Sequence, residues 1–176
     1  SYYARDGINA NAALLVGIGP ADFDSEHPLA GMFLQEKIEE QAFRVAGGGY
    51  RAPVQRVGDF MQRRVSTSFG AVLPTYRPGV AFASLDAILP QEVAGAMRQG
   101  LLKMNARLRG FAHPDALLTG PETRSSSPVR FLRGADCQSL GCRGLYPCGE
   151  GAGWAGGITS AAVDGIRCAE AVLRNA

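Results

Sequence analysis

Apolar and polar positions change rhythm several times along this chain, and the changes predict its elements. Residues 11–18 form a short apolar run closed by Gly19-Pro20, the pattern of a strand and its stop. A polar stretch, Asp22 to His27, predicts a loop. From Pro28 to Val45 the apolar residues Leu29, Met32, Phe33, Ile38, Ala42 and Phe43 recur largely at helical spacing. Glu36, Lys37, Glu39 and Glu40 supply the wet side of that helix. Gly47-Gly48-Gly49 ends it. Pro53 to Arg64 predicts a shorter helix entered at proline, and Val65 to Phe82 an irregular connection. Pro90 to Leu108 carries Val93, Met97, Leu101, Met104 and Leu108 in steps of three or four, with Arg98, Lys103 and Arg107 off that stripe. Short strands are expected at Ala116–Thr119, Val129–Leu132 and Leu145–Cys148, and a closing helix over Ala155–Leu173. The fold class that follows is α+β: a helix-rich inserted lobe over 1–120, then a return of strands and a final helix over 121–176, with no complete Rossmann unit.

Composition narrows the class. With 176 residues, 46% of them hydrophobic, the chain can bury a core and is not expected to be disordered. Its net charge of +2 argues for no nucleic acid and no membrane surface as partner. The four cysteines Cys137, Cys142, Cys148 and Cys168 form no C-x-x-C pair, and only His27 and His113 could assist them, so no metal site is expected. A reducing, cytoplasmic setting fits this cysteine usage. No run is long and apolar enough to span a bilayer. The opening Ser1 to Gly7 reads as the middle of a longer polypeptide rather than a signal peptide.

Candidate chemistry concentrates near the C-terminus. Gly151, Gly153 and Gly156 satisfy G-x-G-x-x-G between an expected strand and a helix. The dinucleotide version also needs a further parallel strand with an acid at its end. The chain stops with the helix, and Glu170 lies inside it, so a self-contained Rossmann reading is not expected. Two readings stay open. In one, Glu150 accepts hydrogen bonds from a sugar-alcohol chain while the N–H groups of Gly157 and Ile158, aided by the helix dipole, face an electron-rich carbonyl. In the other, Glu150 caps the helix and the glycines only allow tight packing.

A second candidate is the loop Glu122 to Pro128. Glu122, Arg124 and Ser126 could clamp or orient a polar substrate, or the loop could satisfy its own backbone. Gly47 to Arg51 is either an anion nest or a helix stop. His27 and His113 each precede a proline and lack an obvious acid or nucleophile partner. Cys148 is expected to be a buried, inert thiol.

The segment Gly144 to Gly165 closely resembles the C-terminal motif of a bacterial family of FAD-dependent dehydrogenases, proteins with two dinucleotide folds. Residues 3–7 with Asn9-Ala10-Asn11, His27 to Gly31, Gly47 to Pro53 with Val57 to Phe60, and Glu122 to Arg130 resemble that family's central region. Trp154 stands where tyrosine is the more usual residue of the pattern, and Ser125 where threonine is. The resemblance implies a fragment of a longer flavoprotein whose Rossmann lobe precedes this chain. Gly149, Glu150, Gly151, Gly156, Gly157, Ile158 and Thr159 would then serve the flavin-ring end of FAD, with Glu122, Arg124 and Ser126 on the side of a small-molecule substrate. Weak or absent FAD binding by the chain alone is expected. NAD(P) participation stays open. An apolar patch around Trp154 and the closing helix, and self-association through it, would follow from the absent lobe. The alternative is a non-catalytic binding or assembly module.

Overall fold

The computed structural model describes residues 3–23 and 25–175. Ser1 and Tyr2 of the opening segment and Asp24 of the expected loop lie outside them. The described architecture is α+β: four α-helices and one three-stranded mixed sheet, with no complete Rossmann unit among the described residues. The helices are α1 (Ala30–Val45), α2 (Val57–Met61), α3 (Gln91–Arg107) and α4 (Ile158–Asn175), and the strands β1 (Ala52–Arg56), β2 (Val80–Phe82) and β3 (Leu117–Thr119). The chain separates into two compact units. One holds residues 1–18 and 37–121, the other 19–36 and 122–176.

The first unit contains the whole sheet. β1 is central, parallel to β2 (Val54 beside Phe82) and antiparallel to β3 (Gln55 beside Leu118). Here the expected helix from Pro53 is corrected: Pro53 lies in β1, and the helix begins only at Val57. Pro53 sits at the end of the β3 ladder, where its carbonyl accepts from Gly120 N–H and no donor is required of it. The expected irregular stretch also ends early, because its last residues, Val80–Phe82, pair as β2.

Val54, Val57, Phe60, Leu85, Ile88 and Leu101 form the core of this unit. Asp59 is buried among them and accepts from Ser66 Oγ at 2.7 Å and Arg64 Nε at 2.7 Å. The Ser66 hydroxyl, ahead of the Arg64 guanidinium, holds its carboxyl below the usual carboxylate range. α3 departs from its expected face. Ala94 and Leu101 are buried, whereas Met104 and Leu108 are exposed. Arg98, expected on the wet side, covers the Phe60 ring at 4.2 Å, donates to the Phe60 carbonyl and pairs with Asp86.

α1 closes in a Schellman motif: Gly48 N–H bonds the Phe43 carbonyl and Gly47 N–H the Arg44 carbonyl, with Gly47 at φ 74°. That geometry makes Gly47-Gly48-Gly49 a helix stop.

The second unit has no paired strand among its described residues. Residues 129–132 and 145–148, expected as strands, are irregular; between them lies only an isolated bridge from Arg133 to Ser139. Residues 11–18 of the first unit are likewise unpaired. Each has a strand's composition but no partner strand; the backbone bonds they do make, such as Phe131 N–H to the Ala152 carbonyl and Leu140 N–H to the Leu132 carbonyl, are isolated ones.

Candidate functional site

The glycine turn is built by its own backbone. Gly153 N–H bonds the Glu150 carbonyl and Trp154 N–H the Gly149 carbonyl. Gly153, at φ 78°, lies against the backbone of Val129 and Arg130, where any Cβ would overlap. Gly151 is different: a Cβ there would meet nothing within 4 Å in this chain. Glu150, Gly156, Gly157, Ile158 and Thr159 are all exposed and Gly149 is half-buried.

α4 begins directly after this turn. Its first intrahelical bond runs from Ala161 N–H to the Gly157 carbonyl, which leaves the N–H groups of Ile158 and Thr159 without an intrahelical acceptor. The Gly157 N–H is already used: it donates to Ser160 Oγ at 3.1 Å. Of the two donors singled out from sequence, Ile158 therefore remains open and Gly157 is committed to its own helix. The Glu150 side chain makes no cap to α4.

The serine loop is brought to the same place. Ser127 Oγ lies 2.8 Å from the Val129 carbonyl and 3.2 Å from the Gly151 carbonyl, its single proton shared between the two acceptors. A Cβ on Gly156 would sit 3.7 Å from Ser126 Oγ. Glu122, Arg124 and Ser126 are exposed, and the loop is tethered to α1 by Gln35 Nε2 donating to the Thr123 carbonyl at 2.9 Å. Two segments more than twenty residues apart in sequence thus line one face of the second unit.

Beneath the turn lies a cluster that sequence reading missed. Arg133 and Asp164 form a buried two-pronged ion pair, with Nη2 at 2.5 Å from Oδ1 and Nη1 at 3.0 Å from Oδ2. Arg133 Nη1 also donates to the Pro147 carbonyl at 2.6 Å and lies 3.0 Å from Cys168 Sγ. Asp164 Oδ2 accepts from Gly149 N–H at 2.9 Å. The Trp154 ring covers this pair, with the Arg133 guanidinium 4.0 Å from its centroid and that of Arg130 at 4.9 Å. The bond from Arg133, against the cost of burial, holds the Asp164 carboxyl below its ordinary range. Burial pushes the Cys168 thiol up to about 11. The only sequence signal for this pair was an acid on the α4 face that also carries Cys168 and Ala171.

One expectation about the cysteines is corrected. Cys148 is exposed, and the buried thiol is Cys168. Residues 145–148 have no partner strand to cover them, so only Pro147 of the four is buried. His27 and His113 each use Nδ1 to accept a backbone N–H two residues on, from Leu29 and Asp115. Among the described residues no cluster of three His, Cys, Asp or Glu side chains could hold a metal ion, and no helix is long and apolar enough to cross a membrane.

Open amides at a helix start, a glycine-rich turn before it and a hydroxyl-rich loop beside it thus share one edge of the second unit, an arrangement that can receive an electron-rich group. The family model described as FAD-dependent protein, C-terminal domain-like matches residues 1–125. The chain belongs to that family. An uncharacterized protein of Clostridium beijerinckii is 51% identical over 173 residues, which cover 98% of this chain and 32% of the relative. The chain therefore spans about a third of that relative's length. The family match ends inside the serine loop, before the turn and α4.

The family's description implies FAD. The residues present are compatible with such a group: the N–H groups of Ile158 and Thr159 have no intrahelical acceptor, and a Cβ on Gly151 would meet nothing within 4 Å.

Proposed function

We propose that this chain is the C-terminal part of an FAD-dependent oxidoreductase and supplies the flavin-ring end of its cofactor site. The observation that carries the reading is the open start of α4 behind the bare face of Gly151. Backbone donors at Ile158 and Thr159 bind the ring's electron-rich edge, with the helix dipole adding favourable field there. Glu150 accepts from the ribityl hydroxyls, and Gly149, Gly151, Gly156 and Gly157 let the ring approach the backbone. Glu122, Arg124 and Ser126 orient the substrate from the adjoining loop. Bound FAD supplies the hydride or electron transfer, and these residues orient and bias it.

The ADP half of FAD is held by polypeptide outside this chain. An apolar stripe on α4, with Ile158 94%, Ile166 60% and Leu173 79% exposed, supports that division. We assign that stripe to the remaining lobe of the same protein.

The test uses the longer protein that contains this chain. It purifies yellow and releases FAD on denaturation, and Gly151→Val weakens FAD binding at least about tenfold, about 1.4 kcal/mol, while its melting temperature is unchanged. Unaltered FAD affinity in that variant refutes the placement. A colourless protein that cannot be reconstituted, with its α4 stripe buried against a second copy, supports the non-catalytic assembly reading instead.

A further inference from the structure

Resting on that reading, we infer that Asp164 and Arg133 are the positioning residues of the flavin site, fixing the glycine turn against the helix whose amides receive the ring. The turn's internal bonds, Gly153 to Glu150 and Trp154 to Gly149, set its shape but not its distance from α4. That distance is set by two anchors. Gly149 N–H is held by Asp164, two turns into α4, and the Pro147 carbonyl is held by Arg133. Since Arg133 and Asp164 are bonded to each other by both prongs, the anchors act as one unit.

Neither residue reaches the docking edge itself, because both are buried below it. Trp154 shields the pair further. Its ring covers the Arg133 guanidinium, and its Nε1–H is fixed by the Phe131 carbonyl at 2.8 Å. A dry, two-pronged pair tolerates little displacement, and ligand donors and acceptors misplaced by about 1 Å lose much of their effect. The helix amides and the turn's carbonyls and glycines thus keep one spacing before any ligand arrives, and binding requires no further ordering.

The pair could instead serve stability alone, and the two roles separate experimentally. Replacing a buried ion pair by apolar side chains of similar volume commonly preserves stability, but it leaves Gly149 N–H and the Pro147 carbonyl with nothing to hold. In the longer protein, the double variant Arg133→Met/Asp164→Leu is expected to melt near the wild-type temperature. It binds FAD at least about tenfold more weakly, shifts the flavin absorption band and reduction potential, and speeds amide exchange at Gly149. Asp164→Asn, which keeps the shape, gives the same directions should the double variant not fold. Leu101→Ala, a core truncation in the other unit, controls for general instability.

Wild-type affinity, spectrum and potential in the folded variants overturn the positioning role while leaving the proposed function standing. Equal FAD loss in Leu101→Ala and Asp164→Asn at equal loss of stability also overturns it. A wild-type longer protein that binds no FAD overturns the functional reading, and this inference with it.

Discussion

The two units solve the burial problem differently. The first buries large side chains: Ile38, Val54, Phe60, Leu85, Ile88 and Leu101 pack with the sheet and α3. In the second, the buried apolar residues among those described are smaller: Ala30, Pro147, Ala152, Cys168 and Ala171. Many of its large ones, among them Phe131, Leu132, Leu145, Ile158, Ile166 and Leu173, are exposed, and others such as Leu34, Val129 and Trp154 are half-buried. Each unit has a buried aspartate with a lowered pKa, but the surroundings differ. Asp59 ties down residues five to seven positions away on top of an apolar core. Asp164 joins segments 15 and 31 positions away with little apolar core beneath them. One unit carries its own core. The other is held by a polar clamp and leaves much of its apolar surface exposed.

The largest effect expected from this contrast is in the first core. Phe60→Ala removes a fully buried ring beneath the Arg98 guanidinium and should cost about 4 kcal/mol. Denaturant unfolding followed by amide exchange in β1 and α3 measures it. A loss below about 1 kcal/mol would mean that this unit, too, lacks an independent core.

Next comes the clamp of the second unit. Asp164→Ala strands the Arg133 charge in a buried site, and about 3 kcal/mol is expected. Exchange should rise over residues 147–154 and α4 while β1 stays protected. Cys168 gives an independent readout. With its thiol pKa raised to about 11 by burial, it should alkylate far more slowly near neutral pH than the exposed Cys142 and Cys148. Asp164→Ala should close that gap, and a Cys168 that labels as fast as Cys142 in the wild type would show that the clamp does not exclude solvent.

Acid separates the two aspartates. Both carboxyls titrate below their ordinary value in the folded chain, so each contributes stability that is complete above about pH 4 and is lost as pH falls through the folded pKa. Ser66→Ala removes the leading cause of the shift at Asp59, moving that folded pKa back towards the unfolded one. It should cost about 1 kcal/mol at neutral pH and flatten acid destabilisation of the first unit alone. Acid titration of amide exchange reads this, and equal flattening over residues 147–154 would contradict the independence of the two networks.

What was legible in the sequence follows the same division. α1, α3, α4 and β3 were readable because helical periodicity and short β-branched or leucine runs are local. Pro53 misled because proline suits a helix start, while the ladder end that accommodates it depends on Gly120, 67 positions away. Arg98 was assigned to water from its charge, although its guanidinium lies on Phe60 and beside Asp86. At the candidate site, the glycines and the serine loop were visible as composition. The Arg133–Asp164 pair was not, since nothing local joins residues 31 positions apart. The runs at 129–132 and 145–148 have strand-like sequences but pair with no strand, because apolar composition is local whereas a ladder needs a second backbone beside it.

The smallest expected effect tests the contrast most sharply. Ile158 and Leu173 are the most exposed large residues of α4, at 94% and 79%. With almost no surface to lose, replacing both by serine should change the stability of this chain by no more than about 0.5 kcal/mol per site. The same substitutions in the longer protein should cost more, because full burial of such a side chain is worth about 1.5–3 kcal/mol. Comparing the two unfolding free energies isolates the energy the stripe contributes only when covered. Equal small losses in both would leave the stripe a solvent-facing surface in the whole protein. A large loss in the isolated chain would show that α4 already buries this face, and the distinction between a self-contained unit and an incomplete one would disappear.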